Sequence, residues 1–160
     1  MIGSKVLLEL ARYSDAVEIA NLSKEYIEYG LRWRYTPEKI LRIIRTDGKN
    51  LVVARKRDKL VGFGIMTYGD ETANLDLLAV KTLYRRRGVG RQIVNWLEEV
   101  ALTAGIFSLF VQVRKLNSGA IKFYEKLGFE IIEERSGYYQ GKENGILLKK
   151  VCGNNHNFRD

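Results

Sequence analysis

The sequence predicts one α/β domain built on a mixed β-sheet, and two features indicate this class. Between residues 51 and 80 the hydrophobic period is two, in three segments separated by short polar turns, which is typical of an antiparallel meander. Between residues 75 and 114 an apolar run, a helical pattern and a second alternating run follow one another, as in a parallel crossover. Antiparallel and parallel pairings are therefore both expected.

Two helices are predicted in the first 45 residues, after a short strand at 6–10. Ser14 suits the N-cap of the first helix, with Asp15 in the first turn, where a carboxylate interacts favourably with the helix dipole. This helix is expected to end near Gly30. The second begins at Thr36-Pro37, where a hydroxyl stands at the cap and the chain's only proline at the first helical position.

The loop between these helices, residues 30–35, is both aromatic and basic, since Trp33 and Tyr35 alternate with Arg32 and Arg34. A hydrophobic lid on the core is the favoured interpretation, and a surface that stacks on RNA bases is the alternative.

The remaining elements follow from the change of period and from the glycines. The three meander strands are expected to be joined by hairpin turns, and a strand, a capped helix and two further strands follow the crossover helix. The expected ranges are 51–55, 60–68 and 73–80 for the meander, Gly88 to Gly105 for the crossover helix, 108–114 for its strand, Asn117 to Gly128 for the capped helix, and 129–133 and 146–151 for the last strands, around a loop with Ser136-Gly137-Tyr138-Tyr139.

The stretch Arg85-Arg86-Arg87-Gly88-Val89-Gly90 joins the third meander strand to the crossover helix. Glycine allows the backbone to approach a ligand closely, and the first turn of a helix presents unpaired N–H groups and about +0.5 of an elementary charge. Arginine side chains, including Arg91, add full charges. The ligand predicted here is a phosphate or pyrophosphate. The stretch does not match a dinucleotide-binding fingerprint, which needs a third small residue where Ile93 stands. It does not match a P-loop either, which needs Gly-Lys-Ser/Thr where Gly90 is followed by Arg91-Gln92.

Two motifs in order resemble the GCN5-related N-acetyltransferase (GNAT) superfamily. Arg85, Gly88 and Gly90 match its acyl-CoA-binding pattern Arg/Gln-x-x-Gly-x-Gly/Ala, and residues 117–129 match its block Asn-x-x-Ala-x-x-x-Tyr-x-x-x-Gly-Phe. Residues 111–114 and Tyr138-Tyr139 look most like ribosomal-protein-alanine acetyltransferases. The resemblance implies a twisted sheet of about seven strands with about four helices, and acetyl-CoA as cosubstrate.

The resemblance also assigns residues to the cofactor. Asn117 would bond the pantetheine arm and Tyr124 would face the sulfur, while loop 30–35 would border the acceptor groove. The residues implied in cofactor binding are Leu78, Ala79, Val80, Arg85, Arg86, Arg87, Gly88, Val89, Gly90, Arg91, Asn117, Ala120 and Tyr124.

Acetyl transfer to an amine needs a base for the amine and an acid for the leaving thiolate. Tyr124 is the predicted acid, because a phenol with a pKa of about 10 can protonate a thiolate; its alternative is a core tyrosine. Asp76 is the predicted catalytic base, because it interrupts an apolar strand and faces the same side as Asn74. A salt bridge with a neighbouring arginine is the alternative for Asp76.

The other residues considered for the catalytic base are weaker candidates. Glu25 and Glu28 are expected to be solvated, although the sequence leaves either of them, or a water relay, open as the base. The ribosomal-protein-alanine acetyltransferases carry a glutamate at the position of Gln112, and glutamine cannot take a proton. The single histidine, His156, is expected to be inert, and with one histidine and Cys152 no metal cluster is predicted.

Length and composition limit the number of domains and the cellular location that the sequence predicts. A chain of 160 residues, 46% hydrophobic and 29% charged, is typical of one soluble domain, here 1–151 with a polar tail at 152–160. Apolar runs fall far short of the ~20 residues of a membrane span. The start, residues 1–5, lacks the hydrophobic region of a signal peptide, and the lone Cys152 cannot form an internal disulfide, so the cytoplasm is predicted.

A net charge of +8 suits either an anionic cofactor or nucleic acid. Because most of the charge is scattered rather than gathered on one helix face, nucleic acid is the less favoured partner. The function predicted is an acetyl-CoA-dependent N-acetyltransferase that acts by direct attack of a primary amine, on a peptide N-terminus or a small amine. An acyl-CoA-binding sensor and a basic nucleic-acid-binding module are the alternatives. A homodimer is among the assemblies that the sequence allows.

Overall fold

A computed structural model describes residues 5–153. Within them lie seven β-strands and four α-helices, with two short 3₁₀ turns. The bounds are β1 Leu7–Leu10, α1 Ala16–Tyr26, α2 Pro37–Arg45, β2 Lys49–Lys56, β3 Lys59–Tyr68, β4 Thr72–Val80, α3 Val89–Thr103, β5 Ser108–Arg114, α4 Ser118–Lys126, β6 Glu130–Tyr139 and β7 Glu143–Val151. Most of the predicted tail, including His156, lies outside the described residues, as do residues 1–4.

The strands form one mixed sheet in the order β1-β2-β3-β4-β5-β7-β6. β2 pairs antiparallel with β1 and β3, and β7 pairs antiparallel with β5 and β6. β4 and β5 pair in parallel, with Thr72 opposite Ser108 and Leu75 opposite Val111. The predicted mixed α/β class, the meander and the parallel crossover are confirmed.

The described chain divides into two compact units. The first holds the residues through Thr67 together with Asp76–Leu97, and the second holds Tyr68–Leu75 and the residues from Glu98 onward. In the first unit, α1 and α2 pack on the sheet through a cluster of fully buried side chains, which includes Ile19, Ile40, Phe63 and Ile65. In the second unit the alternating residues Leu109, Val111 and Val113 of β5 are buried.

The start of α1 differs from the expectation. Ser14 is not the N-cap: residues Tyr13–Asp15 form a 3₁₀ turn, and Ala16 begins the helix. The Asp15 carboxylate accepts from the backbone N–H of Arg12 at 2.7 Å and pairs with the buried Arg55. The Asp15 carboxylate therefore forms a tertiary ion pair that fixes the start of α1. The predicted N-cap of α2 is confirmed, because Thr36 Oγ1 accepts from Lys39 N.

The end of the chain also differs. The segment Ser136-Gly137-Tyr138-Tyr139, predicted as a loop, belongs to β6, and the turn to β7 falls instead at residues 140–142. Gln140 and Gly141 both have positive φ, 56° and 73°, which is what a tight hairpin turn requires. An irregular register between Arg135 and Tyr139 accommodates Gly137 within the strand.

Neither a membrane nor a metal is indicated by the geometry of residues 5–153. No helix among them has the length and apolar character that a membrane crossing requires. In the same residues no three histidine, cysteine, aspartate or glutamate side chains are grouped so as to hold a metal ion.

Candidate active site

The basic turn connects β4 to α3 in the first unit. The chain leaves β4 at Val80, passes through a 3₁₀ turn and reaches α3 at Val89. Arg86 and Gly88 have φ of 61° and 79°, so the backbone is left-handed at both positions. A Cβ added at Gly88 would meet nothing within 4 Å, so this glycine faces open space. The requirement at Gly88 is therefore conformational, and the space above it is free for a ligand.

The arginines of the turn are exposed but held. Arg85 Nε donates to the carbonyl of Val80 at 3.0 Å, and its guanidinium lies 5.0 Å from the ring centre of Tyr26. The guanidinium of Arg87 lies 5.9 Å from the ring centre of Tyr84. Stacking on aromatic faces restricts these arms at a small energetic gain and keeps positive charge beside the turn.

The start of α3 presents backbone N–H groups that no helical bond uses. Gln92 N donates to the carbonyl of Gly88 at 3.0 Å, which is the first helical bond, so the N–H groups of Val89, Gly90 and Arg91 precede the intrahelical ladder. Val89 is buried and anchors the helix end, while Arg91 is exposed. Open space at Gly88, ladder-free N–H groups and exposed arginines together suit an anion.

β4 presents two different faces on its way to this turn. Leu77 and Ala79 are buried in the core of the first unit, whereas the half-buried Leu78 and Val80 lie towards Gly64 and Gly62. Of the residues implied in cofactor binding, Ala79 therefore has only its main chain available to a ligand. Asn74, two residues before Asp76, is exposed.

Asp76 lies in a short polar network with Lys49 and Thr67, which share the face of β2 and β3 that carries Leu51 and Ile65. Its carboxylate accepts from Thr67 Oγ1, Lys49 Nζ lies 3.8 Å from Asp76 Oδ2, and Lys49 Nζ also donates to Thr67 Oγ1 at 2.7 Å. The ion-pair partner is thus a lysine rather than the arginine considered from the sequence. Burial raises the pKa of Asp76, although Thr67 and Lys49 oppose the increase. A half-buried carboxylate with a raised pKa suits proton transfer.

Glu28 is not solvated, contrary to the expectation. It is buried, and its carboxylate accepts from Ser23 Oγ at 2.8 Å and from the backbone N–H groups of Arg34 and Tyr35 at 2.7 and 3.3 Å. These bonds fix the loop between α1 and α2, which makes Glu28 a structural anchor. Glu25 is exposed, as predicted.

The loop that Glu28 anchors packs as a lid. Trp33 and Tyr35 are half-buried against the core cluster of the first unit, and Trp33 Nε1 donates to the carbonyl of Ala20 at 3.2 Å. The aromatic rings are thus committed to packing, as the favoured interpretation of the sequence has it.

Helix α4 of the second unit carries the other predicted residues. Asn117 Oδ1 accepts from Ala120 N at 3.1 Å, so Asn117 is the N-cap that the sequence predicts, and the cap orients its side chain. Tyr124 is buried, with its ring edge-to-face against Phe123 and Phe129 at 5.0 and 5.4 Å. Burial, and next the proximity of Tyr139, raise the pKa of Tyr124, so the phenol keeps its proton.

The second unit also holds a feature that the sequence does not reveal. The side-chain oxygen of Gln112 is buried and has no hydrogen-bond partner among the residues described. A Cβ on Gly145 would lie 3.2 Å from this oxygen and 3.1 Å from Tyr138, so glycine makes room there for both side chains. An unsatisfied buried acceptor costs about 1–3 kcal/mol unless a ligand or water donates to it.

The predicted site residues thus fall into two sets. Asp76, Leu78–Val80 and Arg85–Arg91 lie along one continuous segment of the first unit, and Asn117, Ala120 and Tyr124 lie on or next to α4 of the second. Lys49 and Thr67 were missed because each comes from a different strand, and neither has a sequence pattern that marks it.

Comparison with known proteins gives consistent relatives. A ribosomal protein bS18-alanine N-acetyltransferase of Salmonella typhimurium is 35% identical over 94 residues, which is 57% of this chain and 64% of that protein. The N-terminal acetyltransferase B complex catalytic subunit NAA20 of Arabidopsis thaliana is 35% identical over 105 residues, or 64% of this chain and 57% of that protein. The match thus spans less than two thirds of either relative.

Solved structures share the fold over nearly the whole chain. Ard1 from Thermoplasma volcanium has a TM-score of 0.82 at 24% identity, covering 91% of this chain and 97% of that one. The ribosomal-protein-S18-alanine N-acetyltransferase of Escherichia coli has a TM-score of 0.78 at 22% identity, covering 94% and 98%. The sequence profile described as the Acetyltransferase (GNAT) family matches residues 14–129, from α1 through the glycine that ends α4. The chain therefore belongs to the GNAT acetyltransferase family.

Proposed function

We propose that this protein is an acetyl-CoA-dependent N-acetyltransferase that acetylates the α-amine of a protein or peptide. The observation that carries the proposal is the continuity of β4, which holds the half-buried Asp76 and leads directly into the turn Arg85–Gly90 at the start of α3. A proton acceptor and an anion-binding turn thus lie on one segment. Family membership supports the assignment, as do two relatives, one named as a ribosomal-protein-alanine N-acetyltransferase and one as the catalytic subunit of an N-terminal acetyltransferase complex.

Each residue has a distinct part in this proposal. Bound acetyl-CoA supplies the acetyl group as a thioester, and the N–H groups at the start of α3, with Arg85–Arg87, hold its phosphates. Asp76 accepts the proton that the amine loses as it attacks directly, either in contact or through one water. Tyr124 donates the phenolic proton to the sulfur that leaves, and the pKa that burial raises keeps this phenol protonated at neutral pH until the thiolate forms beside it.

A weak base favours an acceptor whose amine is readily deprotonated. At pH 7 a lysine with a pKa of about 10.4 is neutral roughly once in 2,500 molecules, whereas an α-amine with a pKa of about 8 is neutral roughly once in ten. Gln112 stands where the similar acetyltransferases carry a glutamate and cannot take the proton itself. The α-amine is therefore the preferred acceptor, and a small metabolite with a low-pKa amine is the second candidate.

The test is a competition between two peptides of one sequence, with free thiol release as the signal. One has a free N-terminus and no lysine, and the other is N-terminally blocked with one free lysine. Faster acetylation of the free N-terminus at pH 7 is expected. If the lysine peptide reacts faster, a stronger base than Asp76 operates, and if neither peptide nor any small amine releases thiol, the enzymatic assignment is wrong.

The alternatives have less support. A nucleic-acid-binding module would leave the glycine turn without a purpose, and the half-buried rings of Trp33 and Tyr35 pack on the core. A sensor that only binds acyl-CoA would not need the raised pKa of Asp76. A cytoplasmic location and a homodimer stay proposals, as do a domain at 1–151 and a tail at 152–160.

A further inference from the structure

Three basic side chains of the first unit lie within electrostatic range of a fourth, Lys39, and among the described residues only Lys49 of these four forms an ion pair. This cationic cluster consists of Arg34 in the α1–α2 loop, Lys39 and Arg42 on α2, and Lys49 at the start of β2. Burial lowers the pKa of Lys39, and the positive charges of Arg34, Lys49 and Arg42 lower it further. Lys39 and Lys49 in turn both act on Asp76. Two members of the cluster, Lys39 and Lys49, therefore lie within electrostatic range of Asp76.

The charge of the cluster is not compensated within the described residues. Their ion pairs include Lys49 with Asp76 at 3.8 Å, but none that involves Arg34, Lys39 or Arg42. Glu28 also acts on Lys39, but its carboxylate already accepts from Ser23 and from the loop backbone. An excess of positive charge thus persists beside one half-buried carboxylate.

Two of these cations are held in place. Lys39 Nζ lies 4.3 Å from the ring centre of Tyr35, whose backbone is fixed by Glu28, and Lys49 Nζ donates to Thr67 at 2.7 Å. Ordering a lysine side chain costs conformational entropy, which weakens most surface ion pairs. In the cluster, the contacts of Lys39 and Lys49 already restrict both side chains before a ligand binds. A carboxylate that binds there therefore gains more free energy than it would at an ordinary surface lysine.

We infer that the cationic cluster binds a carboxylate that the acceptor carries close to its reactive amine. The inference rests on the proposed function, since Asp76 defines where the amine reacts. Two sources supply such a carboxylate. One is an aspartate or glutamate side chain in the first positions of a peptide, and the other is the α-carboxylate of a free amino acid.

Matched acceptors test the preference. Two peptides with the same free N-terminus, one with glutamate and one with glutamine at the second and third positions, are compared by kcat/KM at low salt. The glutamate peptide is expected to be better by about twofold to fivefold, the size of well-ordered exposed ion pairs, through KM rather than kcat. The ratio should shrink at high salt because the cluster is accessible to counterions.

Free glutamine and glutamine amide identify the source. Faster acetylation of free glutamine than of its amide points to the α-carboxylate, whereas a preference seen only between the peptides points to the side chain. If neither pair differs, the inference is wrong.

Variants separate the cluster from general charge. Two variants remove charge from the cluster: Lys39→Gln, and the double variant Arg34→Gln with Arg42→Gln. Arg34 and Arg42 are exposed, so their replacement carries little risk to the fold. Both variants should bring the ratio of kcat/KM between the glutamate and glutamine peptides close to one. Lys59→Gln removes the same single charge as Lys39→Gln from the exposed first residue of β3 and should leave the ratio unchanged. An unchanged ratio in a folded cluster variant overturns the inference.

Binding of the same peptides, labelled at the C-terminus and followed by fluorescence anisotropy, measures the preference without turnover. If the glutamate peptide binds more tightly but neither peptide is acetylated, the proposed function fails while the cluster assignment holds. If both are acetylated with equal kcat/KM and bind equally, the cluster assignment fails alone.

Discussion

Asp76→Asn separates what this residue does for catalysis from what it does for stability. Asparagine has the same shape, and its side-chain oxygen can still accept from Thr67 Oγ1, as the carboxylate does. Lys49 keeps its 2.7 Å bond to Thr67. The substitution therefore keeps the shape and the bond to Thr67, and removes the ability to take a proton together with the negative charge that faces Lys49 at 3.8 Å.

The two effects have opposite signs. General base catalysis contributes about 10²–10⁴-fold, so kcat should fall by roughly that factor. Burial raises the pKa of Asp76 above its ordinary value of 3.8, so the folded chain holds this proton to a higher pH than the unfolded chain. Wild-type stability therefore decreases as pH rises from 3.8 through the raised pKa, and each unit of increase costs about 1.4 kcal/mol at higher pH. The unfolding free energy of Asp76→Asn at pH 7 should therefore equal or exceed that of the wild type.

Two measurements check this reasoning. Thiol release as a function of pH should show two acidic limbs in the wild type, one from the acceptor amine and a lower one where Asp76 becomes protonated, and only the amine limb in the variant. Urea unfolding at pH 7 supplies the stability difference. Asp70→Asn, at an exposed position in the β3–β4 turn, is the matched control and should behave as wild type. A variant that keeps half of the wild-type kcat, or that retains the lower acidic limb, would exclude Asp76 as the base.

Three further substitutions address the cofactor, the acid and the core. Tyr124→Phe keeps the buried ring and its edge-to-face contacts, so kcat should fall by about 10²–10⁴-fold with unchanged affinity for acetyl-CoA; an unimpaired chemical step would assign Tyr124 to packing. Gly90→Val, in the first turn of α3, should abolish acetyl-CoA binding in a folded protein, and calorimetry with unchanged affinity would reject the assignment of the turn. Gly64→Ala would place a Cβ 2.7 Å from Ile93 Cγ2, so unfolding in urea should show a loss of about 1–3 kcal/mol, and no loss would mean that α3 shifts freely.

The sequence predicts the start of a helix correctly where the capping side chain bonds to the backbone of that same helix. Thr36-Pro37 starts α2, and Asn117 starts α4, because in each case a side-chain oxygen meets the N–H three residues later. At Ser14 the same signal fails. The competing partner is Arg55, which lies 40 residues away from Asp15 in the chain and draws its carboxylate into a buried ion pair. Composition and spacing do not report such distant partners.

The residues of the candidate site also divide into those that a local sequence signal marks and those whose partners are distant in the chain. Asp76 was found because a carboxylate in an apolar strand is a local anomaly, and the glycine turn because its letters are contiguous. Glu28 was misjudged because an acidic residue near a helix end usually faces water, whereas three donors converge on it here. Tyr138 was placed in a loop because Gly137 precedes it, although an irregular strand register accommodates that glycine.

The cationic cluster and Asp76 act on the acceptor amine in opposite directions. Positive charge near an ammonium lowers its pKa and favours the neutral, reactive amine, whereas the Asp76 carboxylate raises it. A carboxylate on the acceptor would neutralise part of the cluster, so an acidic acceptor gains affinity and loses some of this activation. Such an acceptor then depends more on Asp76 to remove its proton. The loss of kcat on Asp76→Asn should consequently be larger for the glutamate peptide than for the glutamine peptide, and measuring both peptides with both enzymes tests it. Equal losses would mean that the cluster contributes to binding alone.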